Sequence, residues 1–211
     1  MNTIIVGDFM YKKLNLDYSS LEPYIDNKTL DIHYNKHYLK YLDNLNNLLN
    51  SINYDYKYNL EDLVKNISII KEDIRGEVLY NAGGVLNHEL YFNIMNLDGK
   101  HEPFGKLLED IINKYGSYSN FVSEFIKMAS NLKGSGFTYL VLNNGNLDII
   151  NLPNQETPYI YGLIPLIALD MWEHSYYLKY QNNKEQYIKN FFSIIDFNKI
   201  EEIYEKANKQ I

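Results

Sequence analysis

The hydrophobic period of the chain changes near residue 132, and this change limits the fold class. Up to that point apolar residues recur at helical spacing. The segment FTYLVLNNGNLDIINL, residues 137–152, then predicts a strand, an Asn-Gly turn and a second strand. The apolar run LIPLIALDMW, residues 163–172, predicts a third strand, at the centre of the sheet. Helical spacing returns from Glu173, so the predicted class is α+β.

The first half of the chain predicts helices alone. Asp26 or Asn27 is placed to cap a helix whose apolar positions continue to Leu49. A short helix is predicted over 59–70 and a long one over 71–95, where Gly83 and Gly84 weaken the helical pattern. Two more helices are predicted near 104–115 and 118–132, whereas residues 1–20 show no regular pattern.

The turn-rich segment NLDGKHEP, residues 96–103, predicts a domain boundary. We expect an N-terminal helical hairpin domain over residues 1–97. A C-terminal domain over residues 98–211 would contain a three-stranded antiparallel sheet surrounded by helices.

Composition and charge limit the partners. Cysteine is absent, so a transition-metal site must use His, Asp, Glu or solvent. The formal net charge is −7 and no basic stripe is visible, which argues against a nucleic-acid partner. No apolar run approaches the roughly 20 residues of a membrane span, and the opening MNTIIVGDFMYKK lacks the layout of a signal peptide. We expect no membrane partner and a cytoplasmic location.

Four of the five histidines lie where helices or a strand end are predicted: His33, His37, His88 and His174. The fifth, His101, lies in the turn-rich connection, where we expect it to face water. The H-x-x-x-H pair at 33 and 37 is weakly specific by itself, because histidines on a helix face also bond ordinary neighbours. Tyr41 follows one turn later on the same predicted face.

Asp170 makes a metal site the stronger interpretation. It ends a predicted buried strand, where an unpaired carboxylate is costly, and His174 follows four residues later. A cation is one way to satisfy this carboxylate, although an Asp at this position also caps helices. Imidazole and carboxylate ligands suit manganese, iron or zinc.

Four segments, in this order, resemble the iron/manganese superoxide dismutase family almost from end to end. They are LEPYIDNKTLDIHYNKHYLKYLDNLNNLL, NAGGVLNHELYFN, GSGFTYLVLNNGNLDIINLPNQETP and PLIALDMWEHSYYLKYQN. The last contains the pattern D-x-W-E-H-x-Y-Y, which is highly specific for the family.

The resemblance implies an enzyme that converts superoxide to dioxygen and hydrogen peroxide at one redox-active metal ion. It implies four metal ligands: His33, His88, Asp170 and His174. Solvent would be the fifth ligand. The metal would be manganese, with iron possible, at one ion per subunit of a homodimer or homotetramer.

The resemblance also implies residues that act around the metal. His37 and Tyr41 would form the gateway through which substrate enters, and Gln155 would bond the solvent on the metal. Glu173 and Tyr177 would reach across a dimer interface to the partner subunit's His174 and the partner's His37.

The chain also departs from common family members. Gln155 with Gly84 resembles the manganese type. Phe137 and Tyr139 stand where Trp is usual, and Lys184 stands where many members have Arg, a substitution that changes hydrogen-bond geometry and predicts slower catalysis.

Two other functions stay open at this point. One is a non-catalytic metal-binding homodimer that retains the fold. The other is a zinc hydrolase that uses the same ligands, with Glu89 as the general base.

Overall fold

The computed structural model describes residues 10–14 and 21–209. The N-terminal half is helical, as predicted. It contains α1 (Asn27–Ile32), a π-helical segment (His33–Tyr38), α2 (Leu39–Ser51), α3 (Leu60–Lys65), a 3₁₀ turn (Ile67–Ile69) and α4 (Glu72–Asn93). The predicted irregularity of residues 1–20 falls largely outside the described residues.

In the C-terminal half, helices precede and follow the strands of a small sheet along the chain. Its elements are α5 (Gly105–Tyr115), α6 (Tyr118–Ser130), β1 (Gly136–Asn143), β2 (Asn146–Pro153), β3 (Ile164–Asp170), α7 (Tyr177–Tyr180), α8 (Lys184–Phe191) and α9 (Phe197–Asn208). Short 3₁₀ turns cover Pro158–Tyr161 and Glu173–Ser175. Of the described helices, none is long and apolar enough to cross a membrane.

Asp26 starts the first helix. Its Oδ1 accepts a hydrogen bond from the backbone N–H of Thr29 at 2.8 Å, as the predicted cap requires. The helical hairpin is then held by α2 packing along α4. Leu45 and Leu49 of α2 and Val78 of α4 are fully buried, because their helical spacing turns them to the shared interior.

The sheet is antiparallel with strand order β2–β1–β3. The predicted hairpin is confirmed: Asn144 and Gly145 form its turn with φ of 46° and 81°, values that suit Asn-Gly. The prediction that the third strand is central is wrong, because among the described residues β3 pairs only with β1 and lies at an edge of the sheet. Helices α4 and α9 pack on β3 and bury it, which explains its apolar composition.

The connection 96–103 is tied to the start of α9. The N–H of Asn96 donates to the carbonyl of Ile194 at 2.7 Å, and that of Phe197 donates to the carbonyl of Lys100 at 2.7 Å. His101 does not face water as expected: its Nδ1 and Nε2 lie 2.9 and 3.0 Å from the carbonyl oxygens of Ile195 and Leu97. The boundary between residues 97 and 98 stays a prediction.

Candidate metal centre

Three histidines and one aspartate converge where the helical hairpin meets the sheet. His33 comes from the π-helical segment, His88 from α4, Asp170 from the end of β3 and His174 from the turn after it. One nitrogen or oxygen atom of each lies within 4.8 Å of the corresponding atoms of the others. Asp170 Oδ2 is 3.0 Å from His33 Nε2, 3.6 Å from His88 Nε2 and 3.2 Å from His174 Nε2. Four donor atoms at this spacing could hold a metal ion.

His88 is arranged as a metal ligand would be. It is fully buried, and its Nδ1 donates to the carbonyl oxygen of Gly84 at 2.6 Å. This bond fixes the tautomer and leaves a lone pair on Nε2. The Nε2 atom has no hydrogen-bond partner among the described residues, although a buried polar atom normally has one. A cation between Nε2 and Asp170 would satisfy it.

The protonation states also fit a cation. Burial lowers the pKa of His88 to about 3 and that of His33 to about 4, so both imidazoles are neutral at pH 7. Burial raises the pKa of Asp170, but His174 and His33 outweigh it and leave this pKa well below its ordinary value. Two neutral nitrogen donors and an ionised carboxylate at full burial suit a divalent or trivalent metal.

Asp170 is fixed by contacts on both sides. Its Oδ1 accepts from the backbone N–H of Trp172 at 2.8 Å, which turns Oδ2 toward the histidines. Its backbone oxygen accepts from the hydroxyl groups of Tyr187 and Ser175, both at 2.9 Å. The end of the strand is therefore held rigidly on the side away from the histidines.

The segment His33–Tyr38 is π-helical, which the sequence did not predict. The N–H of Leu39 bonds the carbonyl of Tyr34, five residues back. Short π segments inside α-helices often accompany functional sites. Here the segment brings the rings of His33 and His37 to 6.3 Å between centroids, edge to face.

Gln155 and Tyr41 lie next to the four converging residues. Gln155 is 1% exposed, and its Nε2 donates to the Tyr41 hydroxyl at 3.1 Å. Asn87 Nδ2 lies 3.4 Å from Gln155 Oε1 and donates to the carbonyl of Glu156 at 3.1 Å. The sequence analysis did not name Asn87 as a site residue. Its position directly before His88 is the one sequence signal that could have suggested a role.

Two glycines of α4 allow this close approach. A Cβ at Gly84 would lie 2.5 Å from Cγ of Tyr41, and one at Gly83 would lie 1.9 Å from the carbonyl oxygen of Gln155. Gly83 and Gly84, which weakened the helix prediction, are therefore required for the packing of Tyr41 and Gln155.

A cleft of about 600 Å³ leads to this cluster. Its lining includes His37, Tyr41, Trp172, Glu173 and Lys184. The His37 ring stacks on His174 with centroids 3.9 Å apart. Burial, followed by His174, lowers the pKa of His37, so this ring is neutral at pH 7.

Four further residues that the sequence analysis named are not among the described residues that line this cleft: Tyr177, Phe137, Tyr139 and Glu89. Tyr177 is 48% exposed and is not among the described residues that line the cleft. Phe137 is fully buried with its ring 5.7 Å from that of His88, and Tyr139 is buried beside it. Glu89 accepts from Tyr38 at 2.8 Å and lines a different cavity, which does not suit a general base at the cluster.

Comparison with known proteins decides the family. The model for the alpha-hairpin domain of iron/manganese superoxide dismutases matches residues 8–96, and the model for their C-terminal domain matches residues 103–203. The chain belongs to the iron/manganese superoxide dismutases. "Superoxide dismutase [Mn/Fe] 2" of Staphylococcus aureus (strain bovine RF122 / ET3-1) is 37% identical over 94% of this chain and 98% of its own length. The protein of the same name from strain COL is 36% identical over the same shares.

The family confirms several expectations from the sequence. The chain is an enzyme, a superoxide dismutase of the manganese or iron type, and its α+β fold is that of the family. The four residues that the resemblance implies as metal ligands are those that converge within 4.8 Å, and their binding of a metal stays a prediction.

Proposed function

We propose that four residues bind one manganese or iron ion per subunit: His33, His88, Asp170 and His174. The observation that carries this proposal is their convergence within 4.8 Å at near-complete burial, with an unpartnered nitrogen on His88. When bound, the ion supplies one-electron exchange, by which one superoxide becomes dioxygen and another, with two protons, becomes hydrogen peroxide. Zinc cannot supply this exchange because it has no redox chemistry.

Manganese is the metal we propose, with iron as the alternative. The support is the position of the glutamine: Gln155 approaches from the sheet side, whereas residue 84 on the helix side is glycine. Tyr41 fills the space that a side chain at position 84 would need. This arrangement resembles the manganese type.

His37, Tyr41 and Gln155 control substrate and protons in the proposed mechanism. His37 and Tyr41 line the cleft together with His174, so they border the route of a small anion that enters. Gln155 holds the Tyr41 hydroxyl by its 3.1 Å bond, which keeps a proton donor at the inner end of the cleft. Lys184 also lines the cleft and supplies local positive charge in a chain of net charge −7.

Glu173 and Tyr177 belong to the proposal as interface residues of a homodimer or homotetramer. Both are exposed, and Leu178 beside them is 55% exposed. In a dimer, Glu173 would bond the partner subunit's His174 and Tyr177 would bond the partner's His37. A ligand histidine held in this way keeps its tautomer and orientation.

A cytoplasmic location without nucleic-acid or membrane partners completes the proposal. Its support is the cysteine-free composition, which fits a reducing compartment, and the acidic net charge.

The experiment that tests the function combines metal analysis with a superoxide assay. Protein purified from its native source is analysed for manganese, iron and zinc, then stripped and reloaded with each metal separately. We expect inhibition of superoxide-driven cytochrome c reduction with manganese or iron, and none with zinc. A loaded protein without superoxide turnover would favour the non-catalytic dimer, and stoichiometric zinc with hydrolytic turnover would favour a hydrolase.

A further inference from the structure

Tyr38 ends the π-helical segment that begins with His33, and its hydroxyl connects this segment to α4. The hydroxyl donates to Oε1 of Glu89 on α4 at 2.8 Å. Glu89 directly follows His88 in the chain. This hydrogen bond therefore joins the two elements that carry His33 and His88.

A second hydrogen bond turns the Tyr38 proton toward Glu89. The backbone N–H of Leu14 donates to the Tyr38 oxygen at 2.7 Å, and the hydroxyl of Tyr34 donates to the carbonyl oxygen of Leu14. Because the Tyr38 oxygen accepts from Leu14, its own proton is available for Glu89. Tyr38 is fully buried, so loss of either partner would leave a polar atom without a hydrogen bond.

The Tyr38 ring lies beside the same two elements. Its centroid is 6.1 Å from that of Phe92 and 6.5 Å from that of His88. The His33 ring also contacts these two, with centroids 5.0 Å from Phe92 and 4.9 Å from His88. Among the described residues that line the cleft, neither Tyr38 nor Glu89 is present. Loss of this bond would therefore affect how the rings are held and leave the lining of the cleft unchanged.

We propose that Tyr38 is a positioning residue that sets the spacing of His33 and His88 through its hydrogen bond to Glu89. The proposal rests on the proposed function, since it concerns two residues assigned there to the metal. A site binds more tightly when its donors are held in place before the ligand arrives. The Tyr38 hydroxyl therefore contributes to metal affinity although it belongs to none of the four ligands.

The test replaces Tyr38 by Phe, which deletes the hydroxyl and keeps the ring. The matched control is Tyr204→Phe. Tyr204 is 2% exposed and its hydroxyl donates to Asp110 on another helix, so Y204F loses the same kind of bond away from the four-residue cluster.

The probe is cobalt(II), a divalent ion that suits imidazole and carboxylate ligands and whose visible absorption depends on coordination geometry. We expect Y38F to bind cobalt about tenfold more weakly, as losses around metal ligands do, and to change the intensity of this absorption. Y204F should match the unmodified protein in both measurements. Equal cobalt affinity in Y38F and the unmodified protein would overturn the proposal.

Variants of Glu89 test whether the acceptor oxygen is what Tyr38 needs. Glu89→Gln keeps an oxygen that can accept from the hydroxyl, whereas Glu89→Leu does not, and the two variants carry the same charge. We expect E89L to bind cobalt about tenfold more weakly than E89Q, and the double variant Y38F/E89L to bind it as E89L does. Equal binding by E89Q and E89L, or losses that add in the double variant, would overturn the proposal.

A last measurement needs no metal. In metal-free protein with ¹⁵N-labelled histidine, the ring signals of His33 and His88 are assigned from His33→Gln and His88→Gln. We expect Y38F to shift both signals and Y204F to leave them in place. Signals unmoved in Y38F would overturn the proposal even if cobalt binding weakens. If the unmodified protein binds no cobalt, the proposed metal centre fails, while this spectrum still decides whether Tyr38 positions the two histidines.

Discussion

At the scale of single residues, the candidate site depends on hydrogen bonds that leave one atom free. The carbonyl oxygen of Gly84 accepts a hydrogen bond from His88 Nδ1, and Asp170 Oδ1 accepts one from the backbone N–H of Trp172. The atom left over, His88 Nε2, lies 3.6 Å from Asp170 Oδ2 in a fully buried place. The same Oδ2 is 3.0 Å from His33 Nε2 and 3.2 Å from His174 Nε2. The two bonds are local, since their partners are four and two residues apart in the sequence. The approach of His88 to Asp170 joins α4 to β3, and it depends on tertiary contacts that sequence spacing does not contain.

We expect His88→Ala to lose metal and activity together. The change removes one of four donors and leaves the Asp170 carboxylate with less compensation in a buried place. The measurement is metal content by elemental analysis after loading, with the superoxide assay on the same sample. His101→Gln is the control, since His101 lies outside the four-residue cluster and its ring nitrogens lie against the backbone carbonyls of Ile195 and Leu97. A metal-free H88A protein with full activity would contradict the ligand assignment.

We expect Gln155→Ala to keep the metal and slow turnover about 10–100-fold, the usual loss for outer hydrogen-bonding partners. The reason is that Gln155 contributes no atom to the four-residue cluster but holds the Tyr41 hydroxyl. Metal content and kcat are measured together, with the exposed Gln186→Ala as control. Loss of metal in Q155A would instead make Gln155 necessary for the cluster itself.

At the scale of elements, the sequence predicted most helices and the hairpin, but it did not predict how these elements pair and pack against one another. Asp26 as a cap and Asn144-Gly145 as a turn are local signals, because side chain and backbone of adjacent residues determine them. The edge position of β3 depends on strand pairing, and its burial comes from helices that the apolar pattern does not identify. The π-helical segment is equally invisible, because its apolar spacing is close to that of an α-helix.

We expect Gly84→Ala to destabilise the contact between α2 and α4. The new Cβ would overlap the Tyr41 ring near its attachment point, where the side chain cannot swing away, and such overpacking costs about 1–3 kcal/mol. Chemical denaturation measures the free energy of unfolding. Gly76→Ala is the matched control on the same helix, because its Cβ meets nothing within 4 Å and alanine favours helix by up to about 1 kcal/mol. A G84A protein as stable as G76A would contradict the proposed steric conflict.

At the scale of the whole molecule, the candidate site joins the two halves of the chain. His33 and His88 come from the helical hairpin, while Asp170 and His174 come from the end of the sheet. A bound ion would therefore stabilise the entire fold, because the site does not exist when the halves separate. Without an ion, the same cluster places neutral imidazoles and a carboxylate in the interior, where their protonation becomes linked to folding.

This linkage predicts that the metal-free protein loses stability as the pH falls from about 6.5 toward 3. In the unfolded chain the histidines have an ordinary pKa near 6.5, whereas burial lowers the pKa of His33 to about 4 and of His88 to about 3. Between these values the unfolded state binds more protons, so the free energy of unfolding rises with pH. The stabilising contribution is present above about pH 6.5 and lost as pH falls through the folded-state values.

Denaturation of metal-free protein from pH 3 to 8 measures this slope, and His88→Gln, which cannot take up the proton, should flatten it. Glu89 acts in the opposite direction: burial raises its pKa to about 6, so its contribution is present below about pH 4.5 and lost as the pH rises through 6. Glu89→Gln should therefore make the rise with pH steeper. A slope that His88→Gln leaves unchanged would mean that His88 is not held neutral in the folded interior, and would remove one neutral donor from the proposed centre.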